Sequence, residues 1–173
     1  DLSLTSTGIA LGNGSTTTVH TKTRDGDYRL VAIRDAVRIA LGDAPDGTDW
    51  PTSPMPELVA IEDLPTHAKS AGITGMVHGA VRTLLQEREV PYVLISPATL
   101  KAYATGKGNV DKTAMTLALY KRAGVEVDDD NQVDAWWLRA AGMQHLGHPI
   151  VDLPAAQVAR LDKAKWPEME VAR

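Results

Sequence analysis

Two short apolar runs, Val59-Ala60-Ile61 and Tyr92-Val93-Leu94-Ile95, flank a long segment in which Ile73, Met76, Val77, Ala80, Val81, Leu84 and Leu85 recur at three- and four-residue spacing. Such spacing lays one apolar stripe along a helix, and strand, helix and strand in that order make a βαβ unit. The strands are predicted over Glu57 to Ile61 and Tyr92 to Ile95. Ahead of them, residues 4–11 and 15–23 are rich in Thr, Val and Ile around Gly12-Asn13-Gly14, whose glycines supply positive φ for a hairpin turn. An antiparallel hairpin followed by alternating strands and helices predicts an α/β fold, a mixed β-sheet with helices on both faces.

Further elements follow from the same periodicities. Leu30, Ile33, Val37, Ala40 and Leu41 predict a helix from Asp27 to Leu41, and the Pro-, Gly- and Asp-dense stretch from Asp43 to Pro56 reads as a loop. A second loop, Thr105 to Val110, leads to a helix carrying Met115, Ala118 and Leu119, and the cluster Asp128-Asp129-Asp130 opens another that runs through Met143. Pro154 to Trp166 is predicted as a last helix outside the core, so that residues 1–150 form one domain and 151–173 a C-terminal helical extension. Asp1 has no apolar lead-in and is not methionine, and a few residues are expected upstream of it.

At 173 residues the chain is long enough to bury roughly two-thirds of its unfolded surface in one domain. No stretch approaches the roughly 20 apolar residues of a membrane span, and without cysteine there are no disulfides, thiolate zinc sites or cysteine nucleophiles. A reducing cytoplasm is the expected location, and no membrane partner is expected.

Charge is unevenly spread. A net charge of −4 argues mildly against a nucleic-acid partner, yet Lys101, Lys107, Lys112, Lys121 and Arg122 face a single acid, Asp111, in their stretch. Glu126, Asp128, Asp129, Asp130 and Asp134 follow at once. Two unrelated solvated faces would account for this. A metal pocket beside a phosphate-contacting rim is the sharper reading.

A carboxylate that ends an apolar strand loses hydration for no gain unless a cation or partner compensates it. Asp1 and Glu62 are predicted at such strand ends, and Asn131 or Asp130 shares a helical face with Asp134. Hard oxygen donors of this kind suit Mg²⁺ or Mn²⁺ rather than zinc, and two such ions about 4 Å apart could activate a water and stabilise a departing 3′-oxygen.

Asp1-Leu2-Ser3-Leu4-Thr5-Ser6-Thr7-Gly8, Val59-Ala60-Ile61-Glu62, the helix with Gly72 and Gly75, Lys101, Asp111-Lys112 and Asp134-Ala135 together resemble the RuvC family of Holliday-junction resolvases over residues 1–146. The resemblance implies an RNase H-like fold, a bacterial or bacteriophage origin, a homodimer, and cleavage of branched DNA. By position it implies that Asp1, Glu62 and Asp134 are catalytic and, with Asn131, bind metal. Lys101 and Lys112 match basic residues near the scissile phosphate, while Lys69, Lys107 and Lys121 are further candidates for DNA binding. The chain departs from the family at Asn131, where an acid is usual, which leaves the fourth ligand open between Asp130 and Asn131. It also has no phenylalanine: Leu64 and Pro65 occupy the region where some members place an aromatic residue.

Plainer roles stand beside these. Asp128, Asp129 and Asp130 can cap the helix they open. Trp136 and Trp137 are expected to pack that helix rather than stack on bases. His67, His78, His145 and His148 lack the close pairing of a metal-binding helix, and Arg82 and Arg88 read as solubilising charges. Small residues on the helix after Glu62 allow a second subunit to approach. Two other functions compete with the nuclease: a non-catalytic junction-binding protein, favoured by Asn131, and an ATP-binding domain of the actin and sugar-kinase type, which needs a second phosphate hairpin that this chain lacks.

Overall fold

The computed structural model describes residues 1–44, 53–64 and 71–168. Strands β1 (Ser6–Ala10) and β2 (Thr16–His20) pair antiparallel, from Ser6 opposite His20 to Ala10 opposite Thr16. Their turn closes where anticipated, but of its two glycines only Gly14 takes positive φ, at 94°, and it donates its N–H to the Leu11 carbonyl at 2.9 Å. Strands β3 (Val59–Glu62) and β4 (Tyr92–Ile95) pair parallel, with Glu62 opposite Ile95. The directions are those predicted, but the pairs form two separate two-stranded ladders among the described residues, not one continuous ladder. The segment ahead of β1 is a turn rather than a strand. Thr7 Oγ1 donates to the Ser3 carbonyl at 2.6 Å and accepts the Ser3 N–H at 3.1 Å, so the chain turns between Asp1 and β1.

Side chains of β3 and β4 alternate between two cores, as the pleat requires. Val59, Ile61, Tyr92 and Leu94 join a cluster with Leu2, Leu4, Ile33, Val37, Val77, Val81 and Leu85. Ala60, Val93 and Ile95 turn the other way, onto Leu100, Tyr103, Met115, Leu119 and Trp137. Helices therefore cover both faces. On the first face lie α1 (Tyr28–Ala40) and α2 (Ala71–Glu87). Val77, Val81, Leu84 and Leu85 bury one side of α2, but Ile73 and Met76 stay 54% and 45% exposed, so the predicted stripe is only half covered. Met76 sits at its edge, beside Gly72, Gly75 and Gly79, where an added Cβ would meet nothing within 4 Å. Arg82 and Arg88 do more than solubilise. Arg88 pairs with Asp43 just beyond α1, which holds that carboxyl below the usual carboxylate range, and Arg82 Nε donates to Tyr92 Oη at 3.1 Å.

On the second face lie α3 (Pro97–Thr105), α4 (Lys112–Ala123) and α5 (Asp130–His145). The sequence reading passed over α3, although its start is marked by proline in the first turn and by Ser96, whose Oγ accepts the Thr99 N–H at 3.2 Å. Trp136 and Trp137 pack as expected: both are buried, they meet edge to face at 5.1 Å, and Trp137 Nε1 donates to the Met115 carbonyl. The helix expected from Pro154 to Trp166 outside the core is instead a single turn, α6 (Ala155–Val158), continued by a 3-10 turn, Ala159–Lys163. Val151, Leu153 and Leu161 belong to the second core. No helix of the described residues is long and apolar enough to cross a membrane.

The tightest joint lies between β1 and α5. A Cβ on Gly8 would sit 2.0 Å from the Asn131 carbonyl oxygen, so only glycine lets the strand lie on the helix start. Gly8→Ala is expected to destabilise the protein by about 1–3 kcal/mol, the usual cost of overpacking, as read by urea unfolding. Gly12→Ala, with nothing within 4 Å of its added Cβ, should stay within about 0.5 kcal/mol of wild type; equal effects would show that the joint has no such constraint.

Candidate active site

Strand alternation decides where Glu62 points. It follows Ile61 of the first core, so its carboxylate faces the side of α3 and α5, and the Asp63 N–H continues the ladder to the Ile95 carbonyl at 2.8 Å. Burial pushes the Glu62 carboxyl up to about 7, and the charge of Asp134 adds to the shift; Lys101 and Lys112 pull the other way. Asp134 is raised as well, chiefly by burial, against Lys112 and Lys101. Two half-buried carboxylates on facing elements thus share one electrostatic environment. Each would be more stable with a cation near it.

Asp1 reaches this place through Gly8. The Gly8 N–H donates to the Asp1 carbonyl at 3.0 Å and the Asp1 amino group to the Gly8 carbonyl at 3.1 Å, while Gly8 itself rests on Asn131. Even so, among the described residues no group of three or more His, Asp or Glu side chains is drawn close enough to hold an ion. Glu62 and Asp134 share one place without forming a closed cage.

The start of α5 separates capping from candidate ligands. Asp129 caps the helix, its Oδ1 accepting both the Asn131 N–H and the Asn131 Nδ2 at 2.8 Å. That leaves Asn131 Oδ1 without a hydrogen bond among the described residues. Asp130 is turned outward, and its Oδ2 lies 3.1 Å from Lys112 Nζ. Of the two candidates for a fourth donor, Asp130 is thus occupied with a lysine. Carboxylates plus an amide oxygen are a hard donor set, and the mutual burial of Glu62 and Asp134 is what a divalent ion would relieve, so the residues fit Mg²⁺ or Mn²⁺ in chemistry.

The lysines fall into two groups. Lys101, half-buried on α3, and Lys112, the first residue of α4, both act on Glu62 and Asp134. Lys107 in the α3–α4 loop and Lys121 near the end of α4 are exposed, and nothing ties either to the acids. Lys69 and His67 lie outside the described residues. His78 is buried on α2, its Nδ1 without a hydrogen-bond partner among the described residues, and its pKa is lowered by burial and by Arg82 against the pull of Asp63. Capping of α5 by Asp129 is one of the roles the sequence suggests. The role of Gly8 in seating α5 is not, although the glycine in the opening run was the available signal.

No family model matches the chain. It is 28% identical over 141 residues, 80% of this chain and 69% of the relative, to a protein named crossover junction endodeoxyribonuclease RuvC from Nocardia farcinica (strain IFM 10152). Among solved structures, Thermus thermophilus RuvC in complex with Holliday junction substrate superposes with a TM-score of 0.64 at 21% identity, over 88% of this chain and 96% of that one. A second Thermus thermophilus RuvC structure gives 0.59 at 20% identity with the same coverage. The mixed α/β arrangement, with small sheets and helices on both faces, is that of the RNase H-like RuvC fold, and in sequence and in fold the chain is RuvC-like.

Proposed function

We propose that this protein is a divalent-metal-dependent endonuclease that cleaves phosphodiester bonds in branched DNA, with Holliday junctions, flaps or forks as the substrate class. The observation that carries the reading is the burial of Glu62 with Asp134 on a face where Lys101 and Lys112 act on both. Acids that would bind metal, next to cations that would meet phosphate, are what phosphodiester cleavage needs. The names of the sequence relative and of the superposed structure agree with it.

In this reading Asp1, Glu62, Asp134 and Asn131 Oδ1 hold Mg²⁺ or Mn²⁺. Such an ion supplies Lewis acidity toward the phosphodiester and neutralises the carboxylates. Lys112 exchanges Asp130 for a substrate phosphate, an inexpensive exchange because both partners are largely exposed. Lys101, less mobile, keeps positive charge beside the acids as negative charge develops on the phosphate. Lys69, Lys107, Lys112 and Lys121 form the rim that positions DNA by its backbone. Residues 1–150 carry the nuclease, and the segment from 151 braces it. Two-fold incision calls for a homodimer, and the open face of α2 around Gly72, Gly75, Met76 and Gly79 is the surface for it.

A non-catalytic junction-binding protein is the second reading. It is favoured by the Asn131 amide engaged on Asp129 and by the lack of a three-acid cluster among the described residues. Synthetic four-way, forked and linear DNA incubated with and without Mg²⁺ separates the two: cleavage of branched substrates only with the ion supports the nuclease, and tight binding with no cleavage in any ion supports the second reading.

Three outcomes are expected. Glu62→Gln or Asp134→Asn should reduce cleavage to background with junction binding retained, and Lys112→Ala should lower kcat by roughly a hundredfold at saturating DNA; full activity in Glu62→Gln would remove the site from consideration. The second outcome concerns pH. Because burial pushes the Glu62 carboxyl from its ordinary value of 4.5 up to about 7, the folded state holds the extra proton between those values, and its stability falls as pH rises toward 7. Metal-free protein should therefore melt lower at pH 8 than at pH 6, with a shallower dependence in Glu62→Gln, and Mg²⁺ at pH 8 should raise the melting temperature of wild type more than that of the variant. Equal shifts in both proteins would place any bound ion elsewhere. Third, Gly75→Arg and Gly79→Glu should sediment as monomers and lose paired incision; a wild-type monomer with paired incision intact would exclude this interface.

A further inference from the structure

The last carbonyls of a helix have no partner within it, and a buried one must find a donor elsewhere. At the end of α3, Gly106 turns left-handed at φ 86° and its N–H satisfies the Ala102 carbonyl at 2.9 Å. The next N–H, that of Lys107, would reach the Tyr103 carbonyl in a continuing helix, but it is diverted to Thr105 Oγ1 at 3.3 Å. The Tyr103 carbonyl is satisfied instead by Gln157, whose Nε2 donates to it at 2.7 Å. Gln157 is one of the few buried polar residues, 8% exposed, and it comes from α6, more than fifty positions along the chain. Its side chain also lies 3.9 Å from where a Cβ on Gly106 would sit.

This clamp stands between the two lysines that act on the acids. Lys101 is two residues before Tyr103 on α3, and the loop released at Gly106 runs directly to Asp111 and Lys112 at the start of α4. Tyr103 is held from the other side by α5: its hydroxyl donates to the Ala140 carbonyl at 3.3 Å and its ring meets Trp137 edge to face at 6.0 Å. The distance between α3 and the helix carrying Asp134 therefore depends on a residue whose main chain is fixed by the C-terminal segment.

We propose that Gln157 is a positioning residue for the cleavage reaction: by capping α3 it sets Lys101, and the turn into Lys112, against the acids of the site. The proposal rests on the nuclease reading above. Gln157→Met keeps the volume and removes the donor, leaving the Tyr103 carbonyl unpaired. Measured on a four-way junction with Mg²⁺, at a temperature where circular dichroism shows both proteins folded, kcat should fall about ten- to a hundredfold, the usual effect of a misplacement near 1 Å, with the junction Kd unchanged. Lys112→Ala should then cost less in the Gln157→Met background than in wild type, because the lysine is already displaced. Gln157→Asn, which keeps the amide but withdraws it by one methylene, should fall between and serves if the methionine variant folds poorly. Wild-type kcat in Gln157→Met with only a lowered melting temperature would make the clamp structural and overturn the proposal, as would fully multiplicative losses in the double variant. A wild-type protein that cuts no junction would sink the nuclease reading itself, a result distinct from either.

Discussion

The contact between the backbone of β1 at Gly8 and the first turn of α5 at Asn131 is the constraint on which the rest of the site depends. A Cβ at that position would fall 2.0 Å from a carbonyl oxygen, well inside any tolerable approach. Through this one contact the opening turn, with Asp1 bonded to Gly8, is brought beside the helix that carries Asp134. The hairpin is secured on the same helix farther along, by Thr16 Oγ1 to Gln132 Oε1 at 2.7 Å and by Arg139 Nη2 to the Gly12 carbonyl at 2.9 Å. Strand and helix behave as one unit, and Glu62 meets it from β3.

Gathering acids in a half-buried place works against folding, and the structure balances this with local cations rather than with hydrogen bonds. Glu62 is raised to about 7 despite Lys101 and Lys112, so the lysines offset only part of the cost of burial and of the Asp134 charge. Asp129, by contrast, is held below its ordinary value even though burial pushes it up, because side-chain hydrogen bonds to its carboxylate, led by that of Asn131, favour the charged form. Neighbouring aspartates on one helix start thus divide the work: Asp129 stabilises the helix, Asp130 engages Lys112, and Asp134, one turn further in, keeps an unsatisfied charge.

The lysines owe their placement to segments remote from them. Lys101 and Lys112 lie on consecutive helices whose junction is closed by Gly106 and covered by α6, while Tyr103 ties the same junction to α5. The C-terminal residues therefore do more than extend the chain. They complete a core that α3, α4 and α5 share, and that core orients the basic side of the site.

Much of this was legible in the sequence, and the reason is local. The short apolar runs at 59–61 and 92–95, the 3.6-residue stripe of α2 and the Gly12-Asn13-Gly14 turn each follow from backbone geometry and side-chain size alone, so strands, helix and hairpin appeared where they were read. The three acids and two lysines were singled out for a different reason: their types and spacing resemble those of a known family, and 28% identity to a RuvC protein supports the family resemblance, not the role of any one of them. Tertiary structure decided what depends on contacts between distant residues. Which of Asp130 and Asn131 engages Lys112, and whether Pro154 to Trp166 stays outside the core, are settled by who packs against whom, and a period along one chain carries no information about that. Helix α3 was missed because its apolar residues face the core on more than one side and leave no clean stripe. Gln157 was invisible for the same physical reason: an amide becomes a helix cap only when a carbonyl from elsewhere in the chain is folded up against it.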